Sequence, residues 1–302
     1  MTRMRVAQSL RALTYLLASA ILLWLVWRWF DGEQAWRRLQ SAHIGWLVTA
    51  WLFLTLQTIA SALRWQLTCK QLGVPMAKSI AIGQYYVSML CNFTLPGGVL
   101  GDAGRAWHHR QAAGLAASAA AVILERLAGQ LAMIVTLVLA LAWQLRATVA
   151  SHTMWWLGVA VMSAFIVFLG RRLPGPAWLT RLTSWIHQAW FAKEARAPQL
   201  GWTVFILVAS LMSFYACAQA VGVELSGNMA LLVLPATLLV MALPVSVAGW
   251  GVREAGAALI WPLAGVASDA AVAASIAYGL VATISVLPGL LWVRPKLSPQ
   301  PH

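Results

Sequence analysis

Six apolar stretches of about 20 residues constrain this chain most, because a stretch of that length crosses the roughly 30 Å hydrocarbon core of a bilayer as one helix. Only 10% of the 302 residues are charged, whereas about a quarter are charged in soluble domains. The sequence therefore predicts an all-α, polytopic membrane protein, with residues 1–302 forming a single integral membrane domain. The predicted spans cover residues 12–30, 44–65, 116–143, 154–170, 201–221 and 271–293.

The excess of cations is interpreted as a topology signal. The formal net charge is +13, but the cations flank apolar stretches instead of forming one stripe, so a nucleic-acid partner is not predicted. The first apolar stretch follows Arg3, Arg5 and Arg11 and has no small-residue cleavage site, which favours a retained span over a signal peptide. We expect a bacterial-type inner membrane, with both termini in the cytoplasm.

Two shorter apolar stretches, residues 80–95 and 229–243, each end at Leu-Pro and a glycine-rich turn. If residues 80–95 crossed the membrane, the basic loop at about 171–198 would lie outside, against the positive-inside bias. Two re-entrant hairpins instead keep this loop, Arg294 and Lys296 in the cytoplasm. The pair Arg37-Arg38 is the exception to this topology.

The two broken stretches also align with each other. LPGGVLGDAGR at 95–105 and LPVSVAGWGVR at 243–253 share Leu, Pro, Val, Gly and Arg at a constant offset of 148 residues. The same offset relates the two halves of the chain, about 11–145 and 153–294. Because each half crosses an odd number of times, the halves are predicted to form an inverted-topology repeat, which is typical of secondary transporters.

Backbone breaks at membrane depth are tolerated only beside protein or a water-filled cavity, and broken helix ends can hold charged groups. The predicted hairpin-turn residues are Pro96, Gly97, Gly98, Gly101, Pro244, Gly249 and Gly251. The alternative is that proline and glycine merely kink membrane helices.

Ionisable residues near these breaks are the candidate substrate-binding and translocation residues, because a charge within a span is costly unless it meets a partner or a wet cavity. Asp102 and Arg105 lie three residues apart and should pair on one helix face. The adjacent pairs Glu125-Arg126 and Arg253-Glu254 should instead reach partners elsewhere. We expect Arg105 and Arg253 to approach one central cavity; the alternative is a permanent ion-pair staple between the hairpins. The six candidates are Asp102, Arg105, Glu125, Arg126, Arg253 and Glu254.

Four further residues form a candidate headgroup rim: His108, His109, Arg110 and Trp250. Adjacent histidines without a ligand four residues away do not indicate a metal site. No nucleotide-binding or nucleophile-elbow motif is found, so no catalytic residue and no cofactor is predicted.

The motifs resemble those of a known family. Leu-Pro-Gly-Gly before Gly101-Asp102 and Arg105, the pair Glu125-Arg126, and Pro244 leading to Arg253-Glu254 are similar to the transmembrane, flippase-like domain of lysylphosphatidylglycerol synthases. The resemblance covers nearly the whole chain and implies an inner-membrane protein that moves lipids between leaflets, with the six ionisable candidates as its motif residues. This chain departs from the family in having Leu100 where many members have glycine, and its 302 residues are not expected to hold a soluble aminoacyl-transferase domain.

The favoured function is that of an ATP-independent lipid flippase or scramblase for a lipid with a charged or glycosylated headgroup. A transporter is therefore favoured over an enzyme. One alternative is an intramembrane transferase or phosphatase acting on polyprenyl-linked lipids, with Asp102 or Glu125 as acid or base. Another is a non-catalytic membrane partner of lipid- or glycan-synthesis enzymes. Membrane lipids are the predicted partners. Small-residue stripes such as 112–121 fit packing within one chain as readily as between two.

Overall fold

A computed structural model describes residues 2–95, 98–145, 177–243 and 246–293. Those ranges contain eleven α-helices, which confirms the all-α prediction. A π-helical turn at His187–Phe191 and 3₁₀ segments at Trp261–Ala264 and Leu287–Trp292 complete the helical elements. The helices are α1 (Thr2–Trp29), α2 (Gly32–Gln40), α3 (Ile44–Gln71), α4 (Lys78–Thr94), α5 (Leu100–His108), α6 (Arg110–Leu145), α7 (Ala177–Ile186), α8 (Arg196–Ala220), α9 (Gly227–Met241), α10 (Val252–Ile260) and α11 (Ser268–Val286).

Four helical segments are long and apolar enough to cross a membrane: Ile44–Gln71, Gly114–Gln144, Arg196–Ala220 and Ser268–Trp292. They correspond to four of the six predicted spans, so the chain is a polytopic helical membrane protein. The first predicted span is helical and includes the shorter apolar segment Leu16–Trp29. The predicted span 154–170 lies outside the described residues.

The same succession of helices occurs twice, once as α3 to α6 and once as α8 to α11. In each set the first and last helices are long and the two between them are shorter, and each helix contacts the next. Helices α3 and α8 pack along each other at the centre, α6 packs on α9, and α4 packs on Leu287–Trp292. The inverted orientation of the two halves in a bilayer stays a prediction.

Small side chains allow this close packing. Helix α11 buries Ala270, Ala271, Ala273 and Ala274, and their low bulk lets neighbouring backbones approach. The crossing of α4 and α5 is closer still, since a Cβ on Gly101 would lie 2.7 Å from the carbonyl carbon of Ser88. Glycine is therefore required at this crossing.

Both breaks occur at the predicted places. Helix α4 ends at Thr94 and α5 begins at Leu100, where the side chain of Asn92 accepts a 2.8 Å hydrogen bond from the Gly101 amide. Helix α9 ends at Met241 and α10 begins at Val252. Each break thus turns the chain between two packed helices, which puts the candidate residues of α5 and α10 inside the protein.

One arginine of the basic pair in α2 contacts α11. Arg38 Nε lies 2.8 Å from Asp269 Oδ2 in the first turn of α11. This ion pair neutralises Arg38, one of the two arginines that are the exception to the predicted topology. Within the predicted basic loop, residues 177–186 form helix α7.

Candidate functional site

Five charged side chains from α3, α5 and α6 form a chain of alternating sign, which we call the charged cluster. Arg64 Nη2 lies 3.0 Å from Glu125 Oε1, and Glu125 Oε2 lies 3.9 Å from Arg105 Nη2. Arg105 Nη2 donates to Asp102 Oδ1 at 2.5 Å, and Arg126 Nε pairs with the other oxygen of Asp102. The predicted Asp102–Arg105 pair is confirmed, and Glu125 and Arg126 reach separate partners as expected.

The charged cluster holds three arginines and two carboxylates, so it carries a formal net charge of +1. Arg64, Arg105, Asp102 and Glu125 are each at most 6% exposed, whereas the Arg126 side chain is 42% exposed. A buried charge is costly unless it is paired. The cluster therefore favours the approach of one more anion, and Arg126 is its most accessible cation.

Aromatic rings surround the middle arginine. The Arg105 guanidinium carbon lies 4.6 Å from the ring centroid of Trp65 and 4.4 Å from that of Tyr85. The hydroxyl of Tyr85 lies 3.3 Å from Glu125 Oε1. Such cation–π contacts stabilise a guanidinium that has left water, so Arg105 is held within the protein on several sides.

A second, smaller charged group lies at the start of α10. Arg253 Nε and Nη2 donate to Glu254 Oε1 at 3.0 and 2.5 Å, and Ser275 Oγ lies 3.0 Å from Arg253 Nε. The expectation that adjacent Arg253 and Glu254 would not pair is therefore wrong. The Glu254 side chain turns back and accepts a 2.6 Å hydrogen bond from the Gly251 amide. This orientation places the Glu254 carboxylate within reach of the long Arg253 side chain.

A central cavity of about 230 Å³ lies among α3, α4, α6, α8, α9 and α11. Its charged lining comes from Arg64, Glu125 and Arg126. Neither Arg105 nor Arg253 lines it, so the prediction that these two arginines approach one cavity is wrong. A tyrosine separates each of these arginines from the central cavity. Tyr85 lies beside Arg105 and Tyr278 beside Arg253, and both tyrosines line the cavity.

A lateral groove of about 740 Å³ runs between α4 and α5, and we call it the α4–α5 groove. Arg105 and His108 line it from α5. Trp292, from the segment after α11, closes one side and stacks on Tyr86 with ring centroids 6.0 Å apart. Arg105 is thus a lining residue of the groove and also a member of the charged cluster.

The predicted rim residues have separate surroundings. His108 is exposed, and Arg110 stacks on Trp107 at 4.0 Å. His109 Nε2 lies 2.5 Å from the Gln84 side-chain oxygen, and burial together with His108 lowers the pKa of His109. Trp250 lies 4.9 Å from the Arg253 guanidinium carbon, so it contacts the second charged group and does not join the histidines.

Three of the four described turn residues adopt a left-handed backbone conformation that suits glycine. Gly98, Gly249 and Gly251 have φ values of +62°, +78° and +86°, which side chains rarely tolerate. The predicted turn residues Pro96, Gly97 and Pro244 lie outside the described residues. Within the described ranges, no group of three or more His, Cys, Asp or Glu side chains is placed to hold a metal ion.

Sequence reasoning missed Arg64. The predicted second span ends at residue 65, but α3 continues to Gln71 and Arg64 is 2% exposed. Its Nη1 donates to Thr203 Oγ1 at 3.1 Å, and its Nη2 donates to the Glu125 carbonyl oxygen at 2.8 Å. One sequence signal could have indicated that Arg64 lies inside a helix. Residues 58–63 are uncharged, and helix-forming residues continue after residue 65.

Comparison with curated proteins and with solved structures gave no significant match. A family model described as the lysylphosphatidylglycerol synthase TM region matches residues 12–289, which is nearly the whole chain and includes both charged groups and both helix breaks. This match agrees with the resemblance carried by the sequence motifs. The chain belongs to the lysylphosphatidylglycerol synthase transmembrane-region family.

Proposed function

We propose that this protein is an ATP-independent flippase or scramblase that moves a lipid with a charged or glycosylated headgroup between the leaflets of the inner membrane. The observation that carries the proposal is the charged cluster, whose two terminal arginines, Arg64 and Arg126, both line the central cavity. An anionic headgroup in this cavity would balance the net charge of +1.

The cations at the two ends are held differently. Arg64 is buried and makes hydrogen bonds to Glu125 and Thr203, while its Nε has no hydrogen-bond partner. Arg126 pairs with Asp102 and keeps 42% of its side chain exposed. Guanidinium groups bind phosphate oxygens through paired, charge-assisted hydrogen bonds. Arg126 is therefore suited to exchange Asp102 for a headgroup phosphate while Arg64 stays fixed.

The carboxylates support transport over catalysis. Asp102 lies between Arg105 and Arg126, and Glu125 lies between Arg64 and Arg105. Each carboxylate is thus used to hold two cations in place. We propose that these ion pairs loosen and reform as the headgroup passes, with the two broken-helix hairpins forming an inverted repeat that opens toward either leaflet in turn.

Leaflet exchange in proteoliposomes tests this proposal. The purified protein is reconstituted with a fluorescent phospholipid, and exchange is followed by quenching of the outer leaflet. Wild type is compared with Arg126→Gln, and Arg181→Gln, an exposed arginine of α7, is the matched control. Losing one hydrogen bond to a charged group costs about 1.5–3 kcal/mol, so exchange by Arg126→Gln should fall at least about tenfold.

Arg181→Gln should exchange lipid at the wild-type rate. The same rate in Arg126→Gln and in Arg64→Gln, with both variants folded, would refute a role for the central cavity. A panel that includes a polyprenyl-linked sugar in place of the phospholipid would identify the headgroup class.

A further inference from the structure

We propose that the α4–α5 groove binds a phosphate-bearing lipid from the bilayer, with Arg105 as the phosphate ligand. The inference rests on the proposed function, because it gives the transported lipid a lateral site next to the charged cluster. It adds a binding site at a place separate from the central cavity, whose charged lining is Arg64, Glu125 and Arg126.

Arg105 has unused hydrogen-bonding capacity. A guanidinium carries five N–H donors, and in Arg105 it is Nη2 that donates to Asp102 and lies 3.9 Å from Glu125 Oε2. Among the residues that the structure describes, the Nε and Nη1 atoms of Arg105 have no hydrogen-bond partner; the side chain is 3% exposed and lines the groove. A buried donor that lacks an acceptor destabilises the protein. A phosphate in the groove would remove that destabilisation.

The lining of the groove is more polar at one end than at the other, as a lipid molecule is. Toward the carboxyl end of α5 the polar side chains Gln84 and His108 line it beside the apolar Ile80. Toward the break between the helices it is apolar, with Leu95 and Leu100, which are 41% and 49% exposed. A headgroup at the polar end would therefore place its acyl chain along the apolar end.

The dimensions agree with this orientation. Ser79 and Leu95 are the first and last lining residues from α4 and its end, and 16 residues of helix span about 24 Å at 1.5 Å per residue. That length is most of the roughly 30 Å hydrocarbon core. The groove can therefore take an acyl chain together with part of its headgroup.

Cys91 provides a native reporter for occupancy. It lines the groove and is partly exposed, whereas the other two cysteines of the sequence, Cys69 and Cys217, are buried. A bound acyl chain would cover Cys91. Its rate of modification by N-ethylmaleimide, read by mass spectrometry of the Cys91 peptide, therefore measures whether the groove is filled.

The full chain is labelled in a phosphate-free maltoside detergent with three separate additions: a short-chain phosphatidylglycerol, the matching short-chain diacylglycerol, and inorganic phosphate. We expect the phospholipid to slow Cys91 modification about tenfold, which corresponds to about 1.4 kcal/mol, at concentrations where the other two additions have little effect. Equal protection by diacylglycerol would overturn the role of Arg105, and equal protection by inorganic phosphate would overturn lipid binding. No protection by any addition would overturn the site.

Gly104→Phe separates the groove from the charged cluster, whereas Arg105→Gln changes both. A Cβ at Gly104 meets no atom within 4 Å, so Gly104→Phe adds bulk to the groove while leaving the ion pairs intact. Gly201 on α8 is equally open, and Gly201→Phe is the matched control. Phospholipid protection of Cys91 should be lost in Gly104→Phe and in Arg105→Gln, and kept in Gly201→Phe. Protection that persists in both groove variants would refute the proposal.

Binding and transport can fail separately. Phospholipid protection of Cys91 without leaflet exchange would leave the site standing and overturn the proposed transport. Exchange that Gly104→Phe leaves unchanged would leave transport standing and overturn the groove as the lipid's lateral site.

Discussion

Alanine at Gly101 should disrupt the crossing of α4 and α5, whereas alanine three residues later in the same helix should not. A Cβ at Gly101 would lie 2.7 Å from the Ser88 carbonyl carbon and 2.8 Å from its Cα, and ordinary contact begins at 3.4 Å. The two backbones must therefore separate by at least about 0.7 Å, because the neighbouring atoms belong to the backbone and cannot rotate away as the end of a side chain can. The hydrogen bond from the Gly101 amide to Asn92 would lengthen or break.

The expected cost is the sum of two effects. Overpacking of this kind costs about 1–3 kcal/mol, and loss of the hydrogen bond costs about 1 kcal/mol. Gly104→Ala meets no atom within 4 Å and should gain up to about 1 kcal/mol from helix propensity. Gly101→Ala lies in the same helix and gains the same propensity, so the two variants should differ by about 2–4 kcal/mol in their free energy of unfolding.

Unfolding in a titration with sodium dodecyl sulfate, followed by circular dichroism, measures this difference for the detergent-solubilised protein. The same two variants can be compared for leaflet exchange, because separation of the helices would move Asp102, which follows Gly101 directly. Equal unfolding midpoints for Gly101→Ala and Gly104→Ala would refute the reasoning, since the substitutions share a helix and a side chain and differ only in what the new methyl group meets.

Three further predictions concern stability in the same assay. Gly279→Ala should cost about 1–3 kcal/mol, because its Cβ would lie 2.9 Å from the guanidinium carbon of the buried Arg253. Gly129→Ala, whose Cβ would lie 3.5 Å from its nearest neighbour, should cost nothing and gain up to about 1 kcal/mol from helix propensity; similar losses in the two would contradict this. Glu254→Gln should destabilise by about 3 kcal/mol, since Arg253 would stay buried without its anion, and a wild-type midpoint would show that the pair contributes little. The pKa of His109 is lowered in the folded protein, so on acidification the unfolded chain binds a proton first, and stability should fall as the pH drops below the ordinary histidine value of 6.5. His109→Gln should reduce this pH dependence. An unchanged dependence of stability on pH in this variant would show that His109 is not its source.

Local spacing predicted part of the site. Asp102 and Arg105 share a helix face because they lie three residues apart, and the structure pairs them. The breaks after Thr94 and Met241 followed from Leu-Pro and glycine-rich turns. These features depend on backbone geometry over a few residues, which a single sequence records directly.

Contacts between distant residues were not predictable in the same way. Arg64 and Glu125 lie 61 residues apart, and their pairing depends on how α3 crosses α6. The Arg253–Glu254 pair was mispredicted because helix geometry alone separates neighbouring side chains by about 100°. The bend of Glu254 back to the Gly251 amide brings its carboxylate within reach of the arginine, and that bend depends on the turn before α10.

The packing of α4 against Leu287–Trp292 also affects how the protein can be assembled during synthesis. Helix α4 emerges from the ribosome almost 200 residues before the segment that covers it, and α3 precedes its main partner α8 by more than 120 residues. Chains fold from the N-terminus as they are made. Helices α4 and α5, with Arg105, must therefore wait without this final neighbour until residues 287–292 have been made. Substitutions at Gly83 or Gly289, which lie where α4 meets this segment, should lower the yield of inserted protein more than their effect on the finished structure would indicate.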